Sequence, residues 1–177
     1  DHRDLHYPLR RQRQMCIRDR IIAIDRVPEK ESLAREFGAT DFIVSEGDDF
    51  DAVAAVREVL PLGAHHSFEV VGHTGLLSDA INMTRAGGNV CAVGVPDLTA
   101  TVTYGFQSLH QNKQLMGIRA GGAKPRKDFP MLADLYMRGK LKLDEMISNT
   151  SGLDGIQDAF DAMKSGTEAR TVLLPHG

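Results

Sequence analysis

The 177-residue chain contains no tryptophan, two cysteines, and no glycine before position 38. Cys16 and Cys91 lie far apart and show no paired-ligand spacing, so neither a disulfide framework nor a zinc knuckle is indicated. No apolar run approaches the roughly 18 residues that a membrane-spanning helix needs. The start of the chain is basic but is not followed by the apolar stretch of a signal peptide. Together these absences predict a cytoplasmic protein.

The composition, 42% hydrophobic and 25% charged, is ordinary for a soluble globular protein of one domain, or of one domain plus part of another. The net charge of −3 hides an asymmetry, because residues 1–20 hold six arginines against three aspartates and the remainder is acidic. A basic arm of this kind can bind nucleic acid. The alternative, which we favour, is a leader that is not native to the protein.

After Arg20, short apolar runs alternate with amphipathic helical patterns. Apolar runs predict strands at 21–24, 41–44, 67–71, 89–95, 114–118 and 170–174. Helical periodicity, proline starts and glycine stops predict helices at 28–37, 51–60, 76–85, 107–111, 129–138 and 153–164, with a linker at 121–130. This alternation predicts a parallel sheet with helices on both faces.

The first apolar run, Ile21-Ile22-Ala23-Ile24, ends in Asp25. In a dinucleotide-binding fold the second strand ends in such an acid, which accepts hydrogen bonds from the ribose hydroxyls and favours NAD over NADP. Arg26 weakens that preference, since an arginine there can accommodate a 2′-phosphate. The pattern alone is equally compatible with a helix N-cap three residues before Pro28. The glycine-rich turn that belongs about 20 residues earlier is absent, so we expect the chain to enter such a domain at its second strand.

A set of short motifs in consistent order resembles the zinc-type, medium-chain alcohol dehydrogenases. Each motif is weak alone, but the ordered set is specific and covers about positions 21–175. The motifs are Glu36-Phe37-Gly38-Ala39-Thr40-Asp41, Glu69-Val70-Val71-Gly72, Ala86-Gly87-Gly88, Ala92-Val93-Gly94-Val95-Pro96, and Ser165-Gly166-Thr167-Glu168-Ala169-Arg170-Thr171-Val172-Leu173.

The resemblance implies an α/β fold: a doubly wound parallel Rossmann-type sheet lacking its first strand, plus a C-terminal tail of the catalytic domain. Residues 21–119 would form a partial NAD-binding Rossmann domain, and residues 120–177 would complete the catalytic domain. Residues 1–20 match no part of this pattern. Their end, Met15-Cys16-Ile17-Arg18-Asp19-Arg20, resembles translated sequencing-adapter read-through, which supports the interpretation as a non-native leader.

Carried over position by position, the resemblance implies twelve contacts with NAD. Asp25 and Lys30 would bind the ribose, Arg170 the pyrophosphate, and the backbone of Ile118, Arg119 and Ala120 the carboxamide. The adenine and ribose pocket would include Val70, Val71 and His73, and the nicotinamide wall Val93, Gly94 and Val95. Each position also has a plainer interpretation: a solvated Lys30 or Arg170, core valines at 70 and 71, a loop histidine at 73, and a bend at Gly94 before Pro96.

The resemblance further implies that the parent protein is a zinc- and NAD-dependent alcohol dehydrogenase acting on a small alcohol or carbonyl compound. Its zinc ligands would lie outside this chain, so we assign no catalytic or metal-binding residue here and expect the chain alone to be inactive. We expect a homo-oligomer formed through the strand at 114–119, and neither nucleic acid nor membrane as a partner. The alternatives are a zinc-free quinone reductase of the same superfamily and a non-catalytic scaffold. A methyltransferase is disfavoured by the 93–96 segment and by Arg170.

In the strand order of this fold, 3-2-1-4-5-6, the first strand is central. Without it, the strands at 21–25 and 67–71 either pair directly in a narrowed sheet or leave a gap. Exposed inner edges would make the isolated chain poorly stable.

Overall fold

The computed structural model describes residues 20–47, 49–166, 168 and 170–175. The predicted leader, apart from Arg20, lies outside these residues. The chain divides into two compact units. One is Ser45–Ala123, and the other combines Asp1–Val44 with Lys124–Gly177.

The helices and strands alternate along the described residues. In chain order they are β1 (Ile22–Asp25), a 3₁₀ turn (Pro28–Lys30), α1 (Glu31–Glu36), β2 (Asp41–Val44), α2 (Ala52–Val59), β3 (Ala64–Glu69), α3 (Thr74–Met83), β4 (Thr84–Ala92), α4 (Phe106–His110), β5 (Gln114–Gly117), a 3₁₀ turn (Ala120–Gly122), α5 (Pro125–Met137), a 3₁₀ turn (Asp144–Met146), β6 (Asn149–Ser151), a 3₁₀ turn (Leu153–Gly155), α6 (Ile156–Ser165) and β7 (Thr171–Leu173).

All ladders among the described strands are parallel, so the predicted parallel α/β fold is confirmed. The strands form three sheets, in the orders β1-β2, β3-β4-β5 and β6-β7. Strands β1 and β3 belong to different sheets. Strand β6, which the sequence analysis did not predict, is a three-residue polar segment with no apolar alternation to mark it.

The core of the Ser45–Ala123 unit lies between α3 and β4. Ile81 and Val90 are fully buried, Ala80 is nearly so, and Leu77 packs against this cluster. Thr84, a polar residue that is also fully buried, donates to the carbonyl oxygen of Ala80 at 2.7 Å. Its hydroxyl also pairs with that of Ser67 at 2.7 Å. Paired hydroxyls satisfy the requirement that buried polar groups be hydrogen-bonded.

Three predicted boundaries are wrong. The helix expected at 76–85 ends at Met83, and Gly87 and Gly88 belong to β4 instead of breaking a helix. Gly88 lies so close to β3 that an added Cβ would stand 2.9 Å from the His65 carbonyl oxygen. The linker expected at 121–130 contains the start of α5, where Asp128 accepts a hydrogen bond from the Lys124 amide at 2.6 Å.

Candidate functional site

One edge of the Ser45–Ala123 sheet gathers most of the predicted site. The ladders align Glu69 with Ala92 and Ala92 with Gly117, so β3, β4 and β5 end side by side. The Ile118 amide continues this alignment by donating to the Ala92 carbonyl at 2.9 Å. Nine predicted positions follow these strand ends: Val70, Val71 and His73 after β3, Val93, Gly94 and Val95 after β4, and Ile118, Arg119 and Ala120 after β5.

Glu69, which was not predicted as a site residue, organises this edge. Its side chain is only 5% exposed, and Oε1 accepts from the amides of Val71 at 2.8 Å, Gly72 at 2.7 Å and His73 at 3.3 Å. These bonds turn the chain out of β3, so the strand expected to reach Val71 ends at Glu69. An acid ending an apolar strand was the signal that singled out Asp25, but β3 contains two histidines and a serine, so the same signal does not mark Glu69.

The loops after β3 and β4 pack backbone to backbone. The Glu69 carbonyl accepts from the amides of Val93 at 2.8 Å and Gly94 at 3.0 Å. A Cβ on Gly94 would overlap the backbone nitrogen of Gly72 and lie 2.7 Å from Glu69 Oε2. Gly72 has φ +89°, and its own Cβ would come within 2.7 Å of the Val95 carbonyl. Close packing of the two loops therefore requires both glycines, and the approach of a nicotinamide ring to Gly94 stays a prediction.

The valines along this edge face solvent. Val70, Val71 and Val95 are 66%, 71% and 82% exposed. The interpretation of Val70 and Val71 as core residues is therefore wrong, and packing within the unit does not account for them. Apolar side chains exposed where parallel strands end are suited to a flat apolar ring of a ligand.

His73 stands at the N-cap of α3 and is exposed, and it makes no side-chain capping bond. It also acts on the pKa of Asp79, which lies in α3. The pKa of Asp79 is raised by partial burial and by the neighbouring charge of Asp51, and His73 opposes this shift. Keeping the Asp79 carboxylate charged therefore costs free energy in the folded unit.

That cost predicts a pH-dependent effect of Asp79→Asn. The folded protein binds the Asp79 proton more tightly than the unfolded chain, so this group's contribution to stability falls as pH rises through its folded-state pKa. At pH 7 we expect Asp79→Asn to raise the free energy of unfolding by up to about 1 kcal/mol, and the gain should vanish in acid. Thermal melts across pH would measure it, with the exposed Asp49→Asn as the charge-matched control. An equal gain in both variants would contradict this cause.

In the other unit, the predicted pair at the end of β1 is in contact. Lys30 Nζ lies 3.2 Å from Asp25 Oδ2, and Asp25 Oδ1 accepts from the Val27 amide at 3.0 Å. Val27 is the N-cap of the 3₁₀ turn and no side chain caps it, so the N-cap interpretation of Asp25 is wrong. The Asp25 side chain is 34% exposed and the Lys30 side chain 29%. Part of the carboxylate is therefore open to a hydroxyl donor.

The remaining predicted residues have mixed surroundings. The Arg119 carbonyl accepts from the Gly122 amide at 2.9 Å, within the turn that contains Ala120. Arg170 precedes β7 and is anchored through its backbone, whose carbonyl accepts from the Ser148 amide at 2.8 Å. Its exposed side chain borders a cleft of about 270 Å³ lined by Ile156, Ala159, Phe160, Met163, Glu168, Thr171 and Leu173.

The part of the chain that the structure describes does not offer a metal site, because no three His, Cys, Asp or Glu side chains are grouped to hold an ion. These residues do not fit a zinc ion. Among the described helices, none combines the length and apolar character that a membrane span requires.

Comparison with known proteins places this geometry in a family. The family model described as zinc-binding dehydrogenase matches residues 15–138. The match therefore includes residues 15–20, the last six residues of the segment interpreted as a leader. The chain is 36% identical over 155 residues to an alcohol dehydrogenase class-3 of Myxine glutinosa, covering 87% of this chain and 41% of the relative. It is also 36% identical over 155 residues to a probable S-(hydroxymethyl)glutathione dehydrogenase of Schizosaccharomyces pombe, with the same coverage.

A solved structure agrees with these relatives. Benzyl alcohol dehydrogenase from Acinetobacter calcoaceticus matches with a TM-score of 0.80 and 28% identity, over 88% of this chain and 42% of that chain. The chain thus spans about two fifths of the length of the relatives it matches. The ordered motifs, the parallel α/β fold and these matches agree, and the chain belongs to the zinc-binding dehydrogenase family.

Proposed function

We propose that this chain supplies the coenzyme-binding part of an NAD-dependent alcohol dehydrogenase. The observation that carries the proposal is the alignment of three parallel strand ends, which brings nine of the twelve predicted NAD contacts to one edge. The names of the relatives favour alcohol oxidation. They favour it over the quinone reduction and scaffold roles that the sequence left open.

The chain's own residues fit NAD at several of its groups. The partly exposed Asp25 carboxylate, held by Lys30, would accept from the adenosine ribose hydroxyls. The exposed valines after β3 and β4 would contact the apolar rings, the backbone of residues 118–120 the carboxamide, and the Arg170 guanidinium the phosphates. NAD would supply the hydride acceptor when bound. The residues described here do not fit zinc, so no step is assigned to a metal on this chain.

We further propose that β5 joins a second copy of the chain. All four residues of this edge strand are exposed, including Leu115 at 38% and Met116 at 42%. Exposed apolar side chains on an unpaired strand edge favour pairing with another strand.

NAD is expected to bind the 177-residue chain only in the millimolar range, about −4 kcal/mol, and without turnover. The reason is that no glycine precedes position 38, so no glycine-rich turn before Asp25 can hold the pyrophosphate at a helix N-terminus. NMR titration with NAD should shift the amides of residues 25–30 and 93–95, and calorimetry should give the affinity. Micromolar binding would contradict the expected weakness.

The same titration tests the proposed function itself. Asp25→Asn should reduce the NAD-induced shifts, whereas Asp49→Asn, which removes an exposed carboxylate elsewhere, should leave them unchanged. If saturating NAD moves neither 25–30 nor 93–95 in the unsubstituted chain, the coenzyme assignment is wrong.

A further inference from the structure

Glu69 joins the two loops that end β3 and β4. Its carboxylate holds the amides of residues 71–73, and its backbone carbonyl holds the amides of Val93 and Gly94. We propose that Glu69 is a positioning residue that sets both loops of the coenzyme edge, and this inference rests on the proposed function. Five hydrogen bonds from one residue thereby fix the places of Val70, Val71 and Gly94.

Burial makes this side chain's hydrogen bonds necessary. A carboxylate removed from water is costly unless donors compensate it, and here three consecutive amides converge on Oε1. They precede α3, whose N-terminal amides and dipole favour a negative charge. The other oxygen, Oε2, lies against Gly94, so the carboxylate fills the space between the two loops.

The geometry is specific to glutamate. Aspartate keeps the charge but is one methylene shorter, which withdraws the oxygens from the amides of residues 71–73. Glutamine keeps the length but forms neutral hydrogen bonds, roughly half as strong as those to a carboxylate. Both substitutions should therefore loosen the loops without removing the side chain's bulk.

The amides just before α3 therefore bind an anion of the protein itself, the Glu69 carboxylate. The amides of residues 71–73 are already engaged by Glu69, so they are not available to a phosphate of the coenzyme. Glu69 shapes the edge on which the apolar rings would lie and does not itself contact NAD.

Amide hydrogen exchange of the whole chain, measured by NMR, tests the proposal with Glu69→Gln, Glu69→Asp and a matched control, Glu58→Gln. Glu58 is an exposed glutamate on α2 in the same unit. Exchange of the amides of residues 71–73 and of Gly94 should be slow in the unsubstituted chain. It should accelerate about tenfold or more in the two Glu69 variants, and remain unchanged in Glu58→Gln.

A second readout separates positioning from general stability. In Glu69 variants whose thermal melt matches that of the control, the NAD-induced shifts of residues 93–95 should be lost, while those of residues 25–30 persist. Unchanged exchange at 71–73 in a folded Glu69→Gln overturns the proposal. If the Glu69 variants do not fold, rapid exchange at 71–73 in the unsubstituted chain overturns it, and slow exchange supports it. Absence of every NAD-induced shift in the unsubstituted chain refutes the proposed function, whereas the exchange result still decides the role of Glu69 in the loops.

Discussion

Gly94→Ala should destabilise the Ser45–Ala123 unit by about 3 kcal/mol, enough to lower its thermal midpoint by many degrees. The new Cβ would overlap the Gly72 nitrogen and would also stand 2.6 Å from the Gly72 Cα. Both neighbours are backbone atoms, so no flexible side chain can rotate away. The loops after β3 and β4 must separate, which breaks the hydrogen bonds of Val93 and Gly94 to the Glu69 carbonyl.

The matched control is Gly117→Ala in β5 of the same unit. Among the described residues, no heavy atom outside its chain neighbours lies within 4 Å of the place its Cβ would take. At such a site alanine reduces the entropy of the unfolded chain and stabilises by up to about 1 kcal/mol. Urea denaturation followed by circular dichroism compares the two variants. Equal stability of Gly94→Ala and Gly117→Ala would contradict the close approach of the two loops.

Elements whose signals are local could be predicted from the sequence. Strand β2 has the predicted bounds, because polar residues flank its apolar run on both sides. Asp51 caps α2 as expected, accepting from the Ala54 amide at 2.8 Å. The site positions after β3, β4 and β5 were implied by the family resemblance, and the parallel strands that end at one edge bring those residues together.

Features that depend on contacts distant in sequence could not be predicted in the same way. The requirement for glycine at position 94 arises from Gly72, twenty-two residues earlier, and no local pattern reveals it. The exposure of Val70 and Val71 depends on where the Glu69 carboxylate turns the chain, whereas an apolar pair after a strand suggests burial. The separation into three sheets likewise depends on strand pairing, which alternation of strands and helices does not specify.

Ile81→Ala should reduce the free energy of unfolding of the Ser45–Ala123 unit by about 3–4 kcal/mol. Ile81 is fully buried against Ala80 and Val90, and the buried apolar cluster around it is small. Removing three carbons from such a cluster leaves a cavity that α3 and β4 can close only by shifting. Domains of this size are stable by only about 5–15 kcal/mol, so the loss is a large fraction of the total.

A graded series distinguishes lost packing from other causes. Ile81→Val removes one methylene and should cost only about 1 kcal/mol. Leu98→Ala, at a side chain 99% exposed in the same unit, should stay within about 0.5 kcal/mol of the parent. Urea denaturation with an unchanged m-value would show that stability, and not the unfolded state, has changed. The Lys113 ammonium donates to the backbone carbonyl of residue 81 at 2.7 Å, a bond that every variant keeps. A loss that does not follow the volume removed at position 81 would therefore refute the packing explanation.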